Sequence, residues 1–218
     1  MIKVSTVVSE ILYSSEVALT AFNEGILNYS AYAKAIKKQV QDKAKKPATT
    51  GSITVALSRL AKKKSRGQKT LLPNVKINDL TVKSPLIELT YDKTSHNFVL
   101  TKELYKTLNL SSSDFLEVTQ GNSEITIIAS QQLKQAVMAN YKRQKPKSFL
   151  NDLVALTVTF DKKYIHEPNV IYSLIRNLAL KRINIVELVS TYTELTFILH
   201  KNDLQEAFVT LNGIFQQN

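Results

Sequence analysis

LIELTYDK at 86–93 and ALTVTFDK at 155–162 share a Thr-aromatic-Asp-Lys string, Thr90-Tyr91-Asp92-Lys93 against Thr159-Phe160-Asp161-Lys162. A second correspondence follows each of them. FLEVTQGNSEITII (115–128) lies opposite IVELVSTYTELTFI (185–198), matching Glu117 with Glu187, Glu124 with Glu194, Thr126 with Thr196 and Ile128 with Ile198. The offset is 69 at Thr90/Thr159 and 70 at Glu117/Glu187. Helical stretches correspond as well: LTKELYKTL (100–108) to IYSLIRNLA (171–179), and QQLKQAVMAN (131–140) to NDLQEAFVTLN (202–212), with one residue inserted before the last. Each copy therefore reads strand, helix, strand, strand, helix. Apolar residues at Val170, Leu174 and Leu178, and at Leu204, Ala207, Phe208 and Leu211, have the spacing of helix faces that cover one side of a sheet. This is the ferredoxin-like βαββα plan. Two copies of a unit this large predict a pair of domains rather than a solenoid.

Upstream, residues 65–74 (SRGQKTLLPN) read as a linker or turn, and Val75, Ile77, Leu80 and Val82 predict a strand broken near Asn78-Asp79. Two uses compete for the 75–82 strand. It is either the wing of an N-terminal domain or an extra strand of the sheet that follows; each repeat lacks one strand, which favours the sheet.

The first third is helical. Val4, Val7, Val8, Ile11 and Leu12 fall on one face of a helix. Ser15 is placed to cap a second, with Ala18, Leu19 and Phe22 inside and Gly25 at its end. Ser30 is placed to cap a third, burying Ala33, Ile36 and Val40. After the DKAKKPATTG turn, Thr49 or Thr50 caps a fourth, which buries Ile53, Ala56, Leu57 and Leu60. Residues 1–70 carry 13 Lys/Arg and 4 Asp/Glu, a net of +9, out of +11 for all 218 residues. Such asymmetry predicts an appended module with a polyanionic partner. Helices on short turns, the last with a small polar face and a basic end, predict a helix-turn-helix or winged-helix domain over 1–70. Its duplex-DNA contacts would be Thr49, Thr50, Ser52, Thr54, Ser58, Arg59, Lys62, Lys63 and Lys64. Short hydroxyls approach base edges, Arg59 reads guanine, and the lysines neutralise phosphates. A helical domain that docks on a protein is the competing reading of the same residues.

Composition closes off other classes. A hydrophobic fraction of 44% supports a real core. With no Cys, disulfides, thiolate metal sites and a Cys nucleophile are excluded. His96, His166 and His200 lack metal-ligand spacing, so no metal and no cofactor is expected. No GxSxG, Walker loop or GxGxxG occurs, and the chain reads as a non-enzyme. No apolar run approaches the roughly 18 residues of a membrane span, and the N-terminus lacks a signal-peptide pattern. The expected setting is cytoplasmic.

At the repeats the chain resembles the ACT domain family, most closely the paired ACT domains at the C-terminus of aspartate kinases. Gln120-Gly121-Asn122-Ser123-Glu124 is similar to the family's QGSSE turn, Ile183-Asn184-Ile185-Val186 to its INI strand start, and Asn202-Asp203-Leu204-Gln205-Glu206-Ala207 to its last helix. The resemblance covers about residues 84–218, and the expected domains are a first ACT-like one over 71–146, taking in the 75–82 strand, and a second over 147–218. It implies an α+β fold, amino-acid binding and regulation. Carried over, the ligand contacts are His166, Glu167, Pro168, Asn169 and Val170, with Asn184 and Ile185. Asn169 stands where the family usually has Gly, and the first repeat's loop, Lys93 to Phe98, has no Pro-Gly, so the second repeat is the expected ligand site.

The expected function is a ligand-responsive DNA-binding regulator. Its tandem ACT domains would bind an amino acid or similar metabolite and hold a homodimer or higher homo-oligomer. The alternatives are a non-catalytic regulatory subunit that docks on an amino-acid-pathway enzyme, and a structural ACT dimer without ligand.

Overall fold

The computed structural model describes residues 2–64, 72, 73 and 75–216, without the side chains of Lys64 and residues 214–216. The 65–74 linker, with Arg66 and Lys69, falls almost wholly outside them. The chain divides into two compact units, Met1–Leu72 and Pro73–Asn218.

In the first unit four helices share one core: α1 (Val4–Tyr13), α2 (Glu16–Asn23), α3 (Tyr29–Ala44) and α4 (Thr50–Lys64). The sequence periodicity is the cause. Val7, Val8, Ile11 and Leu12 of α1 meet Ala33, Ile36 and Val40 of α3 and Ile53, Ala56 and Leu57 of α4, all buried. The Ser15 hydroxyl accepts from Ala18 N–H at 3.3 Å and caps α2. Gly25, at φ +78°, turns the chain out of that helix in a conformation costly to side-chain-bearing residues. α3 begins before Ser30, because Asn28 Oδ1 accepts from Ala31 N–H at 3.1 Å and caps it from there.

The second unit is a two-layer α+β structure. Its elements are β1 (Ile77–Asp92), α5 (Ser95–Thr107), β2 (Leu116–Gln120), β3 (Glu124–Ser130), α6 (Lys134–Asn140), β4 (Ser148–Phe160), α7 (Val170–Leu180), β5 (Glu187–Ser190), β6 (Glu194–His200) and α8 (Leu204–Gln216). The strands form one six-stranded sheet of order β2-β3-β1-β4-β6-β5, every neighbour antiparallel. β1 and β4 are long, 16 and 13 residues, and each works for both repeats. Residues 86–92 of β1 pair with β3, and 153–159 of β4 pair with β6. The leading part of β1, through Lys83, pairs with β4, while Ser148–Leu150 of β4 pair with β1. Each repeat's missing strand is thus the front of the other repeat's first strand. The 75–82 stretch is part of this sheet and not a wing of the helical unit. The ladder shifts register between Lys83 and Leu86, where Pro85 has no N–H to give it.

Because of these shifts, side-chain parity keeps all four helices on one face of the sheet. Under α5 and α6 lie Ile87, Leu89, Tyr91, Ile125 and Ile127; under α7 and α8 lie Val154, Leu156, Val158, Leu195 and Phe197. The other face holds a smaller cluster, Leu86, Ile128, Leu153, Ala155 and Ile198. Hydroxyl pairs flank it, Thr90 with Thr126 at 3.1 Å and Thr157 with Thr196 at 2.8 Å. The same face carries Glu88, which is 6% exposed.

Candidate ligand site

The ladders correct the repeat's alignment. Thr126 and Thr196, 70 apart, face Thr90 and Thr157, so Thr90 is equivalent to Thr157 and not to Thr159. Likewise Lys93 N–H donates to Ser123 O and Phe160 N–H to Thr193 O, which makes Lys93 equivalent to Phe160. In the helices the buried residues Leu100, Leu104 and Leu108 correspond to Val170, Leu174 and Leu178 at an offset of 70. Three residues are therefore inserted after the second repeat's first strand. Its helix also starts late: α5 begins two residues after Lys93, α7 ten residues after Phe160.

The extra loop is built from local bonds. Asp161 Oδ1 accepts from Lys163 N–H at 2.8 Å and starts a single 3-10 turn over Lys162–Tyr164. Glu167 N–H donates to Tyr164 O at 3.0 Å, and the Tyr164 hydroxyl accepts from Lys76 N–H at 3.0 Å. Asn169 is left-handed, at φ +68°, and its side chain makes no cap bond to α7. The position demands the conformation that Gly adopts most easily and Asn next.

Where the helix start has withdrawn, a cavity of about 540 Å³ opens between this loop, the first turns of α7 and the β5–β6 turn. Phe160, Ile165, Val170, Ile171 and Ile175 give it apolar walls. Its polar groups are Glu167, Asn169, the tyrosines Tyr164, Tyr172 and Tyr192, and Ser190 with Thr191. Thr191 is itself fixed, its N–H donating to Glu194 O at 3.0 Å. Tyr192 is 72% exposed at the rim. Of the residues read from the sequence, Glu167, Asn169 and Val170 line the cavity; His166, Pro168, Asn184 and Ile185 do not. Tyr164, Tyr172 and Ser190–Tyr192 also line it and carry no motif of their own in the sequence. The alignment of Gln120–Glu124 with Ser190–Glu194 was the available signal, since it places that turn beside the loop. In the first repeat the same place is bridged by local bonds. Lys93 Nζ donates to Gly121 O at 2.8 Å, Thr94 caps α5 through Asn97 N–H, and Asn97 Nδ2 donates to Asp92 O at 2.9 Å.

The N-terminal candidates sit differently. Thr49 Oγ1 accepts from Ser52 N–H at 3.1 Å and Ser52 Oγ accepts from Thr49 N–H at 3.2 Å, so the two side chains cap the start of α4 reciprocally. Thr50, Thr54 and Ser58 are half-buried, and Arg59, Lys62 and Lys63 are exposed. The side chain of Lys64 lies outside the described residues. Arg59 and Ser52 share a groove of about 270 Å³ with Lys3 and Lys46, two cations the sequence reading did not single out.

No family model and no curated protein matches the chain. Solved structures do. The chain is similar to the aspartate kinase of Clostridium acetobutylicum, with 10% identity and a TM-score of 0.54, over 68% of this chain and 36% of that one. It is similar to the alpha and beta subunits of an aspartokinase, with 10% identity and a TM-score of 0.53, over 64% of this chain and 99% of that one. The ligand-free regulatory subunit of aspartate kinase from Thermus thermophilus gives 8% and 0.52, over 66% and 99%. The α+β fold resembles the ACT regulatory regions of aspartate kinases. At such identities the likeness concerns the ACT-like fold alone. The matched shares are close to what Pro73–Asn218 contributes to the chain. No described helix is long and apolar enough to cross a membrane.

Proposed function

We propose that this chain is a non-catalytic regulator whose second ACT-like repeat binds a small amino acid. The observation that carries the reading is the cavity at the withdrawn start of α7, where opposite polarities meet an apolar wall. The N–H groups opening α7 favour a carboxylate. Glu167 supplies a carboxylate in the lining to meet the ammonium group by charge-assisted hydrogen bonds. Ile171, Ile175 and the tyrosines accommodate the side chain. The size lies within the range of small-molecule sites. Asn169 and Val170 shape the floor, and His166, Pro168, Asn184 and Ile185 carry no direct part. The chain acts as a homo-oligomer, in which ligand shifts the population of arrangements, and its basic helical unit delivers the output by docking on a partner protein.

Thermal shift against the twenty amino acids tests the ligand. A ligand at a hundredfold over its Kd stabilises the native state by about 2.7 kcal/mol. One or a few amino acids should raise Tm, and Glu167→Gln should remove the rise while leaving the unliganded Tm within a degree or so. If none moves Tm at millimolar concentration, the cavity is not an amino-acid site.

Duplex DNA as the partner is the second reading. It is favoured by the +9 charge of residues 1–70 and by Lys3, Lys46 and Arg59 around one groove. Thr50, Thr54, Ser58, Lys62, Lys63 and Lys64 belong to this reading, whereas Thr49 and Ser52 serve the helix cap. A fluorescent random duplex that binds at low salt, and is released steeply as salt rises, supports it. A chain that ignores the duplex at low salt leaves protein docking as the output.

A further inference from the structure

A second cavity, of about 370 Å³, lies on the helix-covered side of the first repeat, between α6 and the start of β4. Its floor is Leu89, Met138 and Phe149, and its rim is Lys134, Lys145 and Lys147. The cause lies in how α6 ends. After seven residues the chain leaves it through Lys142 and Arg143, both left-handed at φ +51° and +55°, and Arg143 N–H donates to Met138 O at 2.9 Å. The basic segment 142–147 then runs back to the sheet, where Lys147 N–H donates to Thr90 O at 2.7 Å. By ladder register Lys147 stands where Leu80 stands in the second repeat. There Leu80 packs into the core, and the matching helix, α8, runs for thirteen residues. The first repeat has a short helix and a lysine instead, so apolar surface stays uncovered. Phe149 is 39% exposed.

The rim is electrostatically uneven. Lys147 is engaged by Glu124, with Asp92 at 3.9 Å. Lys134 Nζ sits 4.2 Å from the centre of the Phe149 ring. Among the described residues neither Lys134 nor Lys145 has a carboxylate partner. An apolar floor under two uncompensated cations selects an anion with an apolar body and disfavours an added ammonium group.

We infer that this cavity is a second ligand site, for a small monocarboxylate whose aromatic or branched apolar body rests on Leu89, Met138 and Phe149 and whose carboxylate meets the Lys134 and Lys145 ammonium groups. It is separate from the proposed amino-acid site and does not depend on it.

Met138 supplies the readout, because the chain has two methionines and the other is Met1. In methyl-13C-methionine NMR of the full chain, 3-phenylpropionate should shift the Met138 methyl saturably and leave Met1 in place. 3-Phenylpropanol, without the charge, and L-phenylalanine, with an ammonium added, should each bind at least fivefold more weakly. Lys134→Ala combined with Lys145→Ala should weaken 3-phenylpropionate at least fivefold with the rest of the spectrum unchanged. Phe149→Ala should abolish the shift; Lys145→Glu, at an exposed position, should weaken it in a chain whose folding is not at risk. An unmoved Met138 at saturating millimolar ligand overturns the proposal. So does an alcohol that binds as well as the acid, or an affinity indifferent to both lysines.

Discussion

Glu88 lies on the helix-free face of the sheet, 6% exposed, with Oε2 buried and no hydrogen-bond partner for it among the described residues. Burial, and secondarily the charge of Glu187, raise its pKa from 4.5 to about 7. The sign of the resulting pH dependence is opposite to that of a salt-bridged carboxylate. Below pH 4.5 the folded and unfolded chains both hold the proton. Between 4.5 and about 7 only the folded chain holds it, so stability falls as pH rises; above that window the penalty is constant. Glu88→Gln should therefore change stability little at acidic pH and add on the order of 2–3 kcal/mol above about pH 8. Urea denaturation at a series of pH values checks this, and parallel pH profiles for the two proteins would refute it. Glu88 is legible in the sequence only as one charge in LIELTYDK; its burial follows from strands brought from both repeats. Asn169 is the converse case, since its departure from Gly is visible in the sequence and its φ of +68° is the backbone that departure has to satisfy.

At the level of elements, the helices were readable wherever apolar spacing and a cap agreed. Ser15 caps α2, and Ile53, Ala56 and Leu57 point α4 inward. The cap that differs, Asn28 for Ser30, lies two residues earlier, because each is a competent acceptor and only the packed helix chooses. α4 illustrates how a surface reading is altered by local bonding. Thr49 and Ser52, two hydroxyls at the helix N-terminus, close a reciprocal cap there. Thr49→Ala should cost about 1 kcal/mol in α4, seen as roughly fivefold faster amide hydrogen exchange in its first turns, with Thr49→Ser near wild type. Unchanged exchange in Thr49→Ala would mean the cap carries no stability. The loop before α7 was legible as a Pro-containing segment, but its depth as a cavity was not. Matching the Thr-aromatic-Asp-Lys strings hides the three inserted residues, and only the ladder shows Phe160 in the place of Lys93.

For the whole molecule the long strands set the behaviour. β1 and β4 each close both repeats, so neither repeat owns a complete sheet. Residues 73–218 expressed without the helical unit should unfold in one cooperative transition by circular dichroism and by tyrosine fluorescence alike. Dividing residues 73–218 between 146 and 147 and producing the pieces separately should give two that do not fold alone, because each exposes a bare central strand edge. A stable, independently folded 84–146 would show that the strand exchange is dispensable. The sequence by itself determined the repeat, the element order, the helix faces and the concentration of positive charge in the first third, because these are local properties of spacing and composition. Tertiary structure alone decided that the 75–82 stretch completes the opposite repeat, that Lys93 bridges to Gly121 in one copy while a cavity opens at the matching place in the other, and that α6 is only seven residues long. These depend on register between strands tens of residues apart, and a string match cannot measure register when insertions and bulges move it.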